Sequence, residues 1–196
     1  SVSDIPVEIA EKLGITIVPL NLHFGTTTYR DNIDLTADEF YERLPDANPL
    51  PTTSQPSAGT FADTYRSVLD NNSEILSLHA SSKLSGTYNS AIQARSELNT
   101  NKKIEIIDSA TVSMALGLIV IRAATIAKDG GSLEEVLKEI DDCCNNTEVL
   151  VVLDTLEYLE KGGRIGKASA LIGSILSLKP ILTVEDGIVG TFGKAR

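Results

Sequence analysis

Between residues 74 and 153 strand-like and helix-like stretches alternate, and this order restricts the possible folds more than any other feature of the chain. Residues 74–79 and 103–107 have strand character, residues 88–98 and 113–127 helical character. Gly130 and Gly131 stop the second helix, and Ser132 with Glu135 has the spacing of a capping box that starts another. Residues 148–153 are again of β-branched strand type. Strand–helix units joined by short links build an open parallel sheet covered by helices, so the expected fold class is α/β.

The flanking segments fit around this frame. Ser3-Asp4-Ile5-Pro6 opens a first helix that Gly14 ends. Residues 15–24 are rich in Ile, Val and Leu and predict a buried strand, with Pro19 marking an edge or an interruption. Thr36 and Glu39 have capping-box spacing ahead of Phe40, Tyr41 and Leu44. Residues 46–56 carry three prolines and read as a loop, and Ser57 caps a helix running to about residue 71. After Leu153 the pattern changes: a short helix over 154–161, a glycine-rich loop over 162–166, a nearly uncharged helix over 168–178, and two strands around Asp186-Gly187. The expected organisation is an α/β domain over residues 1–153 and the start of a second, α+β domain over 154–196.

Charge narrows the function. The chain has 27 acidic against 17 basic residues, a formal net charge of −10. Sequence-independent nucleic-acid binding needs clustered Lys and Arg to displace counterions, so that class is excluded. Adsorption to anionic lipid is disfavoured for the same reason. No stretch reaches the roughly 20 apolar residues of a membrane helix, and the first residues lack a basic-then-apolar signal pattern. A cytoplasmic protein without membrane insertion is the expectation. Cys143 and Cys144 are adjacent, which does not suit a structural disulfide. With His23 and His79 the only histidines and no C-x-x-C, no metal site is expected.

In open parallel sheets ligands sit at the carboxyl ends of strands. Two hydroxyl-rich loops lead into predicted helices: residues 52–57 (Thr-Thr-Ser-Gln-Pro-Ser) and 81–87 (Ser-Ser-Lys-Leu-Ser-Gly-Thr). Hydroxyl donors beside unpaired backbone N–H groups at a helix start make an anion site for a carboxylate or phosphate. Thr53, Ser82 and Ser85 are the candidates, with Gly86 permitting close approach; the plainer reading is that such hydroxyls cap helices and fill turns. Arg164, between glycines and Ile165, is either a bidentate anion partner or an ordinary surface arginine. The surrounding glycines do not make a P-loop, because Lys161 and Ala168 stand where that motif needs Gly and Ser or Thr. Leu171, Ile172 and Ile175 leave the 168–178 helix almost no polar face, which suits either core packing or, with Ile165, the wall of an apolar channel. A polar head site beside such a channel is what a long-chain carboxylate requires. Two other readings stand beside it: a small acyl hydrolase using Ser82 or Ser85 with His79 as base, and a module binding phosphate ligands through the same loops.

Several stretches, in this order and spacing, resemble the DegV family of fatty-acid-binding proteins: Thr52 to Ser57, Ser81 to Tyr88, Ile107-Asp108-Ser109, Leu156 to Ile165, Lys179 to Leu182, and Asp186-Gly187. The resemblance covers nearly the whole chain. It implies a two-domain fold holding a long-chain fatty acid between the domains, with no chemistry by the binding protein and no cofactor besides the bound acid. The carboxylate would be held by Thr53 and by Ser82 or Ser85, with Arg164 nearby. Some family members present the acid to a separate fatty acid kinase, which the resemblance adds as a partner. Family members also begin with a further strand and continue past residue 196, so the resemblance implies a chain truncated at both ends.

Overall fold

A computed structural model describes residues 2–71, 74–172 and 179–195. Its contacts group the chain into two compact units. The first holds Thr16–Ser77 and Gly86–Ile107; the second holds Val2–Ile15, Leu78–Ser85 and the chain from Asp108 onward.

Residues 15–20 have no regular secondary structure, and the strand predicted over 15–24 is confined to β1 (Asn21–Phe24) of the first unit. Pro19 has no backbone donor to offer a ladder, and regular pairing starts after it. Gly25 and Thr26 turn the chain into β2 (Thr27–Arg30), in antiparallel register with Phe24 opposite Thr27. On its other side β1 pairs with β3 (Thr52–Ser54), inside the segment predicted as loop. A three-residue strand between Pro51 and Pro56 is too short to display a period in sequence. α2 (Ala37–Arg43) starts at the predicted capping box, with Thr36 accepting from the Glu39 amide and the Glu39 carboxylate accepting from the Thr36 amide. α3 (Ala58–Leu69) starts at Ser57, whose hydroxyl accepts from the Thr60 amide at 3.1 Å.

β4 (Glu74–His79) and β5 (Lys103–Asp108) form a parallel pair bridged by the crossover helix α4 (Thr87–Glu97). The core of the first unit gathers Phe61, Tyr65 and Leu69 of α3 with Ala91 and Ala94 of α4 and Ile104 of β5. Tyr65 is buried, and its hydroxyl donates to Ser77 Oγ at 2.8 Å, so the ring is buried without stranding its polar end.

In the second unit, α1 (Val7–Leu13) ends at Gly14, as predicted. α5 (Ser113–Lys128) packs against α6 (Leu133–Asn146), which begins at the Ser132–Glu135 capping box. The strand predicted over 148–153 is reduced to β6 (Val151–Val152). It pairs antiparallel with β7 (Lys179–Glu185), which pairs antiparallel with β8 (Ile188–Ala195). The parallel ladder predicted to include residues 148–153 is thus two strands wide among the described residues. β6 finds its partners in Leu182 and Ile181, about 30 residues downstream, a choice that local patterning does not encode. The hairpin predicted around Asp186-Gly187 is present, with both residues at positive φ (51° and 76°), as a tight primed turn requires.

α7 (Glu157–Lys161) follows, and Gly166–Leu171 winds as a 3-10 turn instead of the predicted α-helix; residues 173–178 of that helix lie outside the described residues. Leu156, Ala168, Leu182 and Val189 form the core here, with Leu84, Leu159, Ile165 and Leu171 packed on it. The class is mixed α/β: a parallel pair, covering helices and two antiparallel sheets.

Candidate functional site

The loop after β4 is anchored by a residue that sequence reading passed over. Ser81 is 1% exposed. Its hydroxyl donates to the Gly187 carbonyl at 2.6 Å and accepts from the Lys83 amide at 3.2 Å. Its amide donates to the Thr111 carbonyl, and its carbonyl accepts from the amides of Leu84 and Ser85, so residues 81–85 form one hydrogen-bonded turn. Gly187 is required at the contact: a Cβ there would lie 2.5 Å from Ser81 Oγ. Lys83 Nζ donates to the Asp186 carbonyl at 2.8 Å, so the β7–β8 turn grips the loop at two points.

Asp108, at the end of β5, supports the same loop. Its carboxylate accepts from the Ser82 amide, 3.2 Å to either oxygen, and from the Ala110 amide at 2.9 Å. Arg164 reaches the loop from the glycine-rich segment: Nε donates to the Leu84 carbonyl at 3.2 Å, and Nη1 to the Gly162 carbonyl at 2.6 Å. Two of its five N–H groups are thereby used to fix the guanidinium in place, and the exposed remainder is available to an anion. Ser82, Ser85 and Arg164 are therefore neighbours in the second unit, brought together by Leu84 and its carbonyl.

Thr53 and Gly86 fall in the first unit. Thr53 sits at the centre of β3, opposite buried Leu22 and on the same sheet face. Its side chain makes no hydrogen bond among the described residues, and neither does that of Ser82. Gly86 is the N-cap of α4. The space a Cβ would take there is filled by the Gln55 side chain, 2.3–2.5 Å from that position. The close approach that sequence reading reserved for a ligand at Gly86 is thus made by Gln55, two residues after Thr53. Of the channel candidates, Ile165 and Leu171 pack on the second core, Ile172 is exposed, and Ile175 lies outside the described residues.

The two histidines sit in different surroundings. His79 is buried, and desolvation pulls its pKa down to about 4 despite the opposing charge of Asp108. A general base works best with a pKa near the operating pH, and this one lies well below it. His23, which the sequence left without a partner, is held between two hydroxyls: Nδ1 is 2.9 Å from Thr28 Oγ1 and Nε2 is 2.9 Å from Ser54 Oγ. The thiols of Cys143 and Cys144 are both pushed up, chiefly by burial, which keeps them protonated and poorly reactive. Among the described residues no cluster of His, Cys, Asp or Glu has metal-binding geometry, and no helix is long and apolar enough to cross a membrane.

Ser81, Asp108 and Gln55 are neighbours of the candidate residues that the sequence did not single out. All three lie inside the family-like motifs, Gln55 in Thr52 to Ser57, Ser81 in Ser81 to Tyr88 and Asp108 in Ile107-Asp108-Ser109, but nothing local distinguishes Ser81 from Ser82.

Comparison with known proteins gives one consistent set of relatives. The profile of the family described as "Uncharacterised protein, DegV family" matches residues 1–196. A DegV domain-containing protein of Caldanaerobacter subterraneus subsp. tengcongensis is 36% identical over 196 residues, covering all of this chain and 69% of that protein. Among solved structures, a DegV family protein from Thermus thermophilus, described by its fatty acid binding, superposes with a TM-score of 0.92 at 39% identity. DegV of Bacillus subtilis, described as a fatty acid binding protein, gives 0.90 at 36%. These alignments cover all of this chain and 69% and 70% of those chains.

Proposed function

The chain belongs to the DegV family, and from that premise we propose that it binds a long-chain fatty acid and performs no chemistry on it. The observation that carries the reading is the clasped loop 81–85, with half-buried Ser82 and Ser85 and the guanidinium of Arg164 fixed on its Leu84 carbonyl. The head-group donors are assigned to Thr53, Ser82, Ser85 and Arg164, with the Gly86 start of α4 contributing its dipole. Ile165, Leu171, Ile172 and Ile175 are assigned to the acyl chain. The ligand is the acid itself, with no cofactor, and the protein acts as a cytoplasmic carrier. A fatty acid kinase that phosphorylates the presented carboxylate is the partner class that accompanies this reading. The organisation into a domain over 1–153 and a second over 154–196 is part of the same proposal.

Energetics divide the work between chain and head group. Each buried methylene contributes about 0.8 kcal/mol. An acid of about sixteen carbons therefore gains on the order of 12 kcal/mol gross, before ordering costs. A carboxylate approaching a protein of net charge −10 gains nothing from the overall field, so the local donors set orientation and select acid over ester. Native mass spectrometry of the chain with oleate tests the reading. A one-to-one complex, weakened by Arg164→Ala, is expected. Absence of any complex with oleate, together with stabilisation by inorganic phosphate, would replace it with the phosphate-module reading.

A further inference from the structure

The three-stranded sheet of the first unit carries a hydrogen-bonded row of side chains on the face opposite Thr53. His23 stands directly across from Thr28 on β2, and Asn21 directly across from Ser54 on β3. Residues 21 and 23 share a face of β1, and directly opposed residues in antiparallel strands share a face, so all four side chains lie together. His23 bridges Thr28 and Ser54 at 2.9 Å on each side, and Asn21 Nδ2 donates to Ser54 Oγ at 3.4 Å. The two ring nitrogens thus join three strands at side-chain level.

β3 needs such a brace. It is three residues long, exposed throughout, pairs on one side only among the described residues, and is bounded by Pro51 and Pro56. So short an edge strand gains little from its own ladder. A slip of one residue would turn Thr53 from the Leu22 face to the opposite face. From this geometry we infer that His23 is a positioning residue: by holding Ser54 it locks the β3 register that presents the Thr53 hydroxyl to the carboxylate. Asn21 supports the same hydroxyl. The role assigned to Thr53 rests on the fatty-acid reading above; the brace itself does not.

The test uses the full chain and two measurements. Hydrogen exchange without ligand reads the brace: His23→Phe, which keeps bulk and strand propensity but offers no hydrogen bond, should speed exchange of the Thr52 and Ser54 amides, opposite His23 and Asn21, by about two- to ten-fold. His23→Gln, able to donate and accept, should restore most of the protection. Affinities for oleate and methyl oleate read the function: His23→Phe should reduce the preference for the acid by about two- to ten-fold and leave methyl oleate binding unchanged. Ser54→Ala should reproduce this, and the double variant should be no worse than either single one. Unchanged exchange in His23→Phe, or an unchanged acid-to-ester ratio, would overturn the inference. A wild type with no preference for the acid would instead overturn the fatty-acid reading and the role of Thr53, while exchange would still decide the brace.

Discussion

The contact between Ser81 and Gly187 joins residues 106 positions apart, and a double-mutant cycle can measure it. Ser81→Ala removes the donor to the Gly187 carbonyl and the acceptor of the Lys83 amide, at a site 1% exposed. Leaving a buried acceptor without its partner costs about 1–3 kcal/mol. Gly187→Ala does damage twice over. At φ 76° a side chain meets the following carbonyl, at about 1–2 kcal/mol, and the new Cβ would lie 2.5 Å from Ser81 Oγ. Once Ser81 is alanine that collision is gone, because the nearest Ser81 atom becomes Cβ at 3.5 Å, an ordinary contact. The backbone strain remains in both backgrounds. The double variant should therefore be less destabilised than the sum of the singles by on the order of 1 kcal/mol. Urea unfolding of the four proteins reads this directly, and 1 kcal/mol moves the melting temperature by about 2–4 °C in a chain of this size. Additivity to within about 0.3 kcal/mol would refute the claim that this hydroxyl ties the turn to the loop.

Three further outcomes are expected. His79 has its folded pKa lowered to about 4 from 6.5, so the unfolded chain binds the extra proton between these values and stability falls as the pH drops through that window. The contribution is complete above pH 6.5 and on the order of 3 kcal/mol; urea midpoints of wild type and His79→Gln should converge toward pH 4, and parallel curves would refute the assignment. Gly86→Ala should cost less than about 1 kcal/mol, because its obstacle is the flexible end of Gln55, and should be near neutral beside Gln55→Ala in a thermal melt. Thr36→Ala removes a capping box and should cost about 1 kcal/mol in the same assay; no change would mean that α2 does not unfold with the rest.

Legibility followed the range of the interactions. The caps at Thr36, Ser57 and Ser132 were readable because an N-cap bonds within three residues of itself. The Asp186-Gly187 hairpin was readable because positive φ at two adjacent residues selects those residue types. β2 and β3 were missed because strands of four and three residues have no period to detect, and their ladders depend on β1. The antiparallel placement of β6 was missed because residues 148–153 carry the same β-branched pattern whichever sheet receives them. At the candidate site the sequence singled out Ser82, Ser85 and Arg164, which do prove to be neighbours, and passed over Ser81, which holds the loop they share.

By itself the sequence determined the mixed α/β class, most helix starts and the last hairpin. It also identified the family, because motif order survives where single motifs are weak. Only the tertiary structure decided which hydroxyl of the 81–85 loop is buried and which are half-buried, that Gln55 fills the space over Gly86, and that His23 spans three strands. Apart from the bond between His23 and Thr28, five positions apart, those facts come from contacts between residues separated by 31 to 106 positions. Such a contact depends on the folded path of the chain, and identical residue types at neighbouring positions leave it undetermined.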